Sequence, residues 1–535
     1  MQTTFPVSSI YPNNKILNHF LDQSPSLKQF YGGHPSNETD WLEIIEKRKS
    51  FSSEIRIEVS KILKKQNALF PSEKLQKNIE LLSKHNTFVI VTGQQAGFFG
   101  GPLFTFFKTL STIKWAEELS VKYPQYNFVP VFWIEIEDHD FAEIARFSIP
   151  EKDEIKYEDK TSNFYEQIVH RNIPEEFSGF TEQVFSTLPQ SDFLEEYKQL
   201  INAAYLPGNK FGEAFKIFMH HLFDEFGLIL CDPTDSQLKK LGSSVFQKEV
   251  LNQPSADLIS ATSKNLEDSG FHPQVTPRAV NTFFVEDGKR LGLVPDGENY
   301  LIQGLDKKLS KTEIEKLLID HPEKFSPNVV LRPLFQDTVL PVIGISVGPG
   351  EMSYFMQFKS LYAEFNIPYP ILVPRTFGVI LEPPVERIID KYSINPVDIF
   401  TDETFFKTFI SKKTGLDLSS ELTKLKTEME SVMKSKSDLI NSIDPTLVDS
   451  WNSQIGKTFQ GIDQFYQRLE KSLKKQEETT IQQLKRVEDH LFPGGDPQER
   501  KHSVLFYLFK YGKYFTHHLY KQIELDNQFR FFKTV

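Results

Sequence analysis

A glycine-rich loop, TGQQAGFFGGP at residues 92–102, joins a short apolar run to a helix-like run. Glycine lets the main chain approach a ligand closely, and the free N–H groups at the start of a helix suit a phosphate or carboxylate. A tight turn that only packs is the alternative, since the loop matches neither Gly-x-Gly-x-x-Gly nor a phosphate loop ending in Gly-Lys-Ser/Thr. We assign ligand binding to Gly93, Gln94, Gln95, Gly97, Gly101 and Pro102, and a catalytic role to Lys108 in the following helix.

The stretch FWIEIEDHD, residues 132–140, ends an apolar strand in four consecutive ionisable side chains. Such strand ends lie at the edge where open α/β sheets bind ligands. Carboxylates and an imidazole there can hold Mg²⁺, act as a base or bind an amine. The alternative is a solvated strand end in which Asp140 caps the next helix. We assign catalytic roles to Asp138, His139 and Asp140 and ligand binding to Trp133, and we leave the identity of any metal open.

A second glycine loop, VGPGEMSYF at residues 347–355, again connects a strand-like run to a helix-like run. Because the two loops are built alike, we expect them to border one cleft. Two arginines stand at the ends of nearby elements, where a guanidinium can clamp a phosphate or carboxylate; a surface salt bridge is the alternative. The binding residues predicted in this part of the chain are Asn328, Arg332, Gly348, Gly350, Glu351, Tyr354 and Arg375.

Five short apolar runs separated by helical segments predict an α/β fold with a parallel, doubly wound sheet. Between the third and fourth runs, Asp287-Gly288 and Asp296-Gly297 are turn signals that predict a small antiparallel meander. From about residue 415, apolar residues at 3-4 spacing, interrupted near Asp444-Pro445, predict an antiparallel helical hairpin with coiled-coil packing. The predicted domains are a Rossmann-like core at 1–254 and 326–400, a small α+β insertion at 255–325 and a helical coiled-coil domain at 401–535.

The composition argues against several classes of protein, namely nucleic-acid binders, membrane-spanning proteins and proteins with internal disulfides. A net charge of -11 argues against a nucleic-acid partner, because such binders need a basic face to release phosphate counterions. No run of about 18 apolar residues is present, so no membrane span is expected. The first twenty residues lack the features of a signal peptide, and the single cysteine, Cys231, excludes an internal disulfide and a Cys-rich zinc site. These features predict a cytoplasmic protein.

Six motifs occur in one order along most of the chain: TGQQAGFFGGPLFTFFK, VPVFWIEIEDHDFAEI, NVVLRPL, VGPGEMSYF, VPR and PQER. Together they resemble the BshC family, the cysteine ligase of bacillithiol biosynthesis. The resemblance implies a Rossmann-like core related to class I synthetases and nucleotidylyltransferases, an inserted connective domain, and a C-terminal coiled coil that forms a homodimer. It also implies the last step of the pathway, in which cysteine is joined to glucosaminyl malate.

Forming an amide from a free carboxylate requires activation, so the resemblance also implies ATP and Mg²⁺. The glycine loops and Lys108 would then neutralise phosphates, while Asp138 or His139 would deprotonate the incoming ammonium or hold the metal. The expected partners are small molecules: cysteine, glucosaminyl malate and a nucleotide. Two alternatives stay open, namely another nucleotidylyltransferase-like enzyme on the same core and a non-catalytic coiled-coil scaffold with a retained nucleotide pocket.

Overall fold

The computed structural model describes residues 3–70, 72–160, 164–401 and 404–534. The strands are Thr4–Pro6 (β1), Thr87–Gln95 (β2), Asn127–Glu135 (β3), Arg146–Phe147 (β4), Ile155–Lys156 (β5), Ile229–Cys231 (β6), Thr282–Glu286 (β7), Lys289–Asp296 (β8), Asn299–Ile302 (β9), Lys307–Ser310 (β10), Phe325–Pro327 (β11), Val342–Val347 (β12), Ile371–Pro374 (β13), Phe377–Leu381 (β14) and Gln528–Lys533 (β15). The α-helices of the first half are Val7–Ile10 (α1), Lys15–Leu21 (α2), Glu38–Arg48 (α3), Ser53–Gln66 (α4), Glu73–Leu81 (α5), Leu103–Lys122 (α6), Phe141–Ile144 (α7), Phe177–Thr187 (α8), Leu194–Ala204 (α9), Phe211–Phe223 (α10), Ser236–Leu241 (α11), Ser243–Asn252 (α12) and Ser255–Asp268 (α13). Those of the second half are Lys311–Asp320 (α14), Arg332–Val339 (α15), Pro349–Phe355 (α16), Lys359–Glu364 (α17), Pro383–Tyr392 (α18), Pro396–Thr401 (α19), Phe405–Thr414 (α20), Leu418–Lys434 (α21), Ser437–Ile443 (α22), Val448–Gln476 (α23), Glu478–Leu491 (α24), Gln498–Lys501 (α25), Val504–Tyr511 (α26) and Tyr514–Gln522 (α27).

The central sheet is parallel, with the spatial order β6-β3-β2-β12-β13. In chain order these are the third, second, first, fourth and fifth of its strands, which is the doubly wound Rossmann arrangement. The five apolar runs of the sequence therefore form the predicted sheet, and the predicted α/β fold class is confirmed. The strands are buried on both faces because helices cover each side, which explains their near-continuous apolar character.

The chain reverses its direction of strand addition between β2 and β12. In such sheets the crevice outside the carboxyl ends of the strands at this switch point is where ligands bind. Residues Gly93–Gln95 form the end of β2, and Gly348 directly follows β12. The topology thus brings the two glycine loops to the same edge of the sheet.

Helix α6 packs behind β2 and β3 and joins an aromatic-rich core. Phe98 lies at the centre of this core and contacts the rings of Phe141, Phe177 and Phe211 at centroid distances of 5.1–5.8 Å. Such ring contacts stabilise beyond the burial of apolar area alone. This core fixes the start of α6, and with it the position of Lys108.

The predicted meander is present as β7, β8, β9 and β10, which pair in antiparallel fashion. Its first turn holds Asp287 at φ 50° and Gly288 at φ 74°, the left-handed conformation that a two-residue hairpin turn requires. Strand β11 extends this sheet by pairing with β7. The meander delivers Arg290, on β8, to the crevice described below.

Two compact units divide the chain: residues 381–495 form one, and residues 3–380 with 496–535 form the other. In the first, α21 and α23 form the predicted antiparallel hairpin, tied by the Lys426–Asp463 ion pair at 2.5 Å. The last forty residues cluster with the larger unit in their contacts, because α26 buries residues 504–509 in the aromatic core. The domain bounds derived from the sequence stay a prediction.

Among the described residues, no helix is both long and apolar enough to cross a membrane.

Candidate functional site

A cavity of about 620 Å³ lies at the carboxyl edge of the parallel sheet. It brings together residues that are as far apart in sequence as Gly93 and Arg500. Most of the site residues predicted from sequence line it: Gly93, Gln94, Gln95, Lys108, Asp138, His139, Asn328, Arg332, Gly348, Gly350, Glu351, Tyr354 and Arg375. The prediction that both glycine loops border one cleft is therefore confirmed.

Lys108 links the two loops. Its ammonium donates to the carbonyl of Gly93 at 2.6 Å and pairs with Glu351 at 2.7 Å. Glu351 also accepts the Gly348 N–H at 2.8 Å, so one carboxylate holds both the lysine and the second loop. Burial lowers the pKa of Lys108, and the adjacent Glu351 opposes that shift. The lysine is thus a buried cation that is fixed between the ends of β2 and β12.

Asp138 is held by three donors. Its carboxylate accepts from Arg290 at 3.0 Å, from Gln95 at 3.1 Å and from the backbone N–H of His139 at 2.7 Å. Because these contacts occupy both oxygens, Asp138 is suited to positioning its neighbours rather than to taking a proton. Burial lowers the pKa of the His139 imidazole, so this ring is neutral at cellular pH.

Arg332 and Glu135 form the wall beside the first loop. Arg332 Nε lies 3.0 Å from Glu135 Oε1, and its guanidinium also donates to Gln336 at 3.2 Å. Burial raises the pKa of Glu135 to about 7 although Arg332 opposes the shift. Tyr354 completes this wall and interacts with Arg332.

Arg375 lines the cavity, but its guanidinium is already engaged by a carboxylate of the same chain. It donates two hydrogen bonds to Glu499, at 2.8 and 2.7 Å, and both side chains are buried. Glu499 belongs to the PQER motif, in which Gln498 bonds the backbone of Ile380 and Arg500 is exposed at the cavity. Of the two arginines, Arg500 is therefore the one whose guanidinium faces solvent.

Five predicted site residues lie outside the cavity lining. The β-carbon of a residue at 97 would lie 2.9 Å from the Gly101 α-carbon, so these glycines serve a tight turn. Pro102 caps α6, whose first N–H, that of Leu103, donates to the carbonyl of His502; this helix start is therefore not a free anion site. Trp133 packs in the core against Phe335, and Asp140 caps α7 by accepting the Glu143 N–H.

Sequence reasoning missed several residues that line the cavity. Arg290 and Phe283 come from the meander, and nothing in their local pattern distinguishes them from ordinary strand residues. Glu135 and Glu137 lie in the strand-end stretch FWIEIEDHD and share a face with His139 if that stretch is extended. The alternation of side-chain directions along it could therefore have identified both glutamates as site residues. The residues missed are Phe104, Glu135, Glu137, Glu143, Gln274, Phe283, Arg290, Pro327, Val329, Pro349 and Arg500.

Residues 3–376 match the family model described as "Bacillithiol biosynthesis BshC, N-terminal Rossmann-like domain", and residues 378–533 match "Bacillithiol biosynthesis BshC, C-terminal coiled-coil domain". The chain belongs to the BshC family. A relative from Chlorobaculum tepidum, named "Putative cysteine ligase BshC", is 33% identical over 480 residues, which cover 84% of each chain. Relatives of the same name from Flavobacterium johnsoniae and Cytophaga hutchinsonii are 32% and 31% identical and cover 93% and 92% of each chain.

Two acidic side chains at the strand end of this BshC-family chain are engaged by basic partners. Within the described ranges, no three His, Cys, Asp or Glu side chains are grouped so that they could hold a metal ion. Asp138 is engaged by Arg290, and Glu137 pairs with the buried Lys239.

Gly93 makes room at the wall of the cavity. A β-carbon at this position would lie 3.1 Å from the Trp133 carbonyl and 3.3 Å from Glu135 Oε1. We expect Gly93→Ala to lower the free energy of unfolding by about 1–3 kcal/mol, since β2 and β3 would have to move apart. Gly350→Ala is the matched control, because its β-carbon would meet nothing within 4 Å. Urea unfolding compares the two; equal stability of both variants would contradict the prediction.

Proposed function

We propose that this chain is a cysteine ligase that joins cysteine to glucosaminyl malate, the last step of bacillithiol biosynthesis. The names of its relatives support the reaction class. The single observation that carries the assignment to this site is the buried Lys108 between two glycine loops at the switch point of the sheet. Such a cation can stabilise the charge that develops on phosphates when a carboxylate is activated.

ATP is the proposed source of activation, and Mg²⁺ would enter with its phosphates. The residues present suit a nucleotide phosphate in two ways. Lys108 supplies a buried positive charge, and the second loop leaves open space at Gly350, where main-chain N–H groups can be approached closely. When bound, ATP would supply a leaving group to the cysteine carboxylate, while Lys108 and this loop hold the phosphates.

Recognition of the two substrates is assigned to different parts of the cavity. The neutral His139 imidazole, near the ring of Phe283, suits the cysteine thiol. Arg500 suits the carboxylates of the malyl group, because an exposed guanidinium binds such groups in bidentate fashion. Asp138 fixes Gln95 and Arg290 around them. With Cys231 buried as a free thiol, we place the reaction in the reducing cytoplasm.

Purified protein mixed with cysteine, glucosaminyl malate, ATP and Mg²⁺ tests the proposal when product and nucleotide are followed by mass spectrometry. Bacillithiol with an equal amount of AMP indicates an adenylate, and bacillithiol with ADP indicates an acyl phosphate. A different nucleotide-linked product would favour a nucleotidylyltransferase. The absence of any product from folded protein and verified substrates would overturn the ligase.

We further propose that the helical hairpin forms a homodimer. No residue of α21 or α23, all of which are described, is buried within the chain. A 29-residue helix without a buried residue gains little from packing on one partner helix, so a second copy is the occupant that its apolar stripe fits. The exposed large apolar residues of the described hairpin are Val432, Leu439, Ile443, Leu447, Phe465 and Leu469.

Light scattering over a range of concentrations is expected to give the mass of a dimer, and Ile443→Asp is expected to weaken it because it places a charge in the apolar stripe. Leu69→Asp is the matched control, since Leu69 is equally exposed but lies in the other unit. A monomer mass at every concentration would contradict the homodimer.

A further inference from the structure

Glu135 presents an oxygen that accepts no hydrogen bond. It is the last residue of β3, and its side chain is 23% exposed. Its Oε1 is buried and finds no donor among the described residues. Arg332 Nε lies 3.0 Å away and attracts the carboxylate as an ion pair, but its N–H does not point at Oε1. The carboxylate of Glu135 is thus partly exposed to the cavity, and its buried oxygen accepts no hydrogen bond from a described residue.

The first glycine loop packs closely against this oxygen. Gly93 has no side chain, and a β-carbon there would lie 3.3 Å from Glu135 Oε1 and 3.5 Å from Arg332. Oε1 is therefore enclosed by the loop. The carboxylate meets the cavity through the exposed part of the side chain, since Glu135 lines the cavity and is 23% exposed.

The other carboxylates of the cavity lining are each engaged by a side-chain donor: Lys239 for Glu137, Arg290 for Asp138, Lys108 for Glu351 and Gln95 for Glu143. A carboxylate that already accepts such a bond is a weaker acceptor for a substrate proton. Glu135 differs from all four in having a buried oxygen without a donor.

The charges that face Glu135 set its proton affinity near neutrality. Burial, together with the charges of Glu137 and Asp138, raises its pKa to about 7, while Arg332 and Arg290 oppose the shift. A general base works best when its pKa lies near the operating pH. His139, the other candidate base, has a pKa that burial moves below its usual value, which makes it the weaker acceptor.

We infer that Glu135 is the general base of the ligation, an inference that rests on the proposed function. Its carboxylate takes a proton from the ammonium of the amino-sugar substrate. The freed nitrogen lone pair attacks the activated carboxyl carbon of cysteine and forms the C–N bond. The bond from that carbon to the phosphate oxygen breaks, and the phosphate group leaves with the electron pair. The second proton of the nitrogen passes to solvent.

Hydroxylamine separates this role from a structural one. Its nitrogen is unprotonated at neutral pH, so it traps an activated carboxyl group without help from a base. We expect Glu135→Gln to lower the rate of ligation to glucosaminyl malate by about 100-fold or more, while formation of cysteine hydroxamate stays within a few-fold of the wild-type rate. In the wild type, kcat for ligation should rise with pH through about 7, and this dependence should be absent from the glutamine variant. Glu135→Asp, which keeps a carboxylate, should recover part of the ligation rate, and the surface variant Glu118→Gln should leave both rates unchanged.

Each of the remaining outcomes overturns either the assignment of Glu135 as the base or the proposed function. If Glu135→Gln loses both reactions, or keeps both, Glu135 is not the base. If the wild type itself forms neither bacillithiol nor hydroxamate, the proposed function fails and this inference fails with it. If the wild type forms hydroxamate and the glutamine variant ligates normally, the ligase stands and only the assignment of the base is lost.

Discussion

Glu499→Gln is expected to lower the free energy of unfolding by about 3–5 kcal/mol, because it leaves the Arg375 guanidinium buried without a counter-ion. The Arg375–Glu499 pair joins the residue that follows β13 to the PQER motif, and its side chains are 2% and 0% exposed. Glu499 also accepts the Tyr11 hydroxyl at 2.5 Å and the Gly378 N–H at 3.0 Å. Urea unfolding followed by circular dichroism measures the loss.

The control for this prediction is a solvent-exposed pair in the same segment. Lys501 and Asp496 lie 3.0 Å apart with nearly half of each side chain exposed, and such pairs contribute at most about 1 kcal/mol. Asp496→Asn should therefore change stability by less than about 1 kcal/mol. If the two variants prove equally stable, the Arg375–Glu499 pair does not hold the C-terminal segment as described.

Lys108→Met is expected to reduce kcat/KM for ligation by about 100-fold or more, because it removes the buried charge that faces the phosphates. The same substitution at Lys114, on the same helix but partly exposed and paired with Glu118, is the matched control and should leave the rate unchanged. Steady-state kinetics with each substrate varied in turn gives the measurement. Retention of wild-type activity by the methionine variant would remove Lys108 from the mechanism.

A double variant distinguishes the catalytic role of the Lys108 charge from its role in holding the second glycine loop. Lys108→Met leaves Glu351 without its cation, and this alone destabilises the second loop. Adding Glu351→Gln removes the unpaired charge, so the double variant should recover much of the lost thermal stability and remain inactive. Recovery of activity together with stability would show that Lys108 only supports the fold.

Much of the fold could be predicted from local sequence patterns. The five strands, the meander turns and the interruption of the hairpin at Asp444 each follow from a short stretch of sequence, because burial, turn chemistry and helical spacing act over a few residues. The two glycine loops were likewise visible, and the strand order then brought them together. The loop residues Gly97, Gly101 and Pro102 lie outside the cavity lining, because the same glycines that admit a ligand also admit a tight turn.

The partners of the site's charges could not be read from sequence. Asp138 meets Arg290 across 152 positions, Glu137 meets Lys239 across 102, and Arg375 meets Glu499 across 124. These long-range contacts alone decide which carboxylates of the cavity accept a hydrogen bond from a basic side chain and which one does not. Glu135 lies two residues before Glu137 in the chain, and only the folded chain shows that their surroundings differ.

Cysteine labelled with oxygen-18 in its carboxylate tests carboxylate activation in this cavity most directly. With glucosaminyl malate, ATP and Mg²⁺, one labelled oxygen should appear in the released phosphate or AMP for each bacillithiol formed, and Lys108→Met should lose product and labelled phosphate together. Bacillithiol that forms without transfer of label, or label transfer that survives in Lys108→Met, would contradict a ligase that activates cysteine at this site.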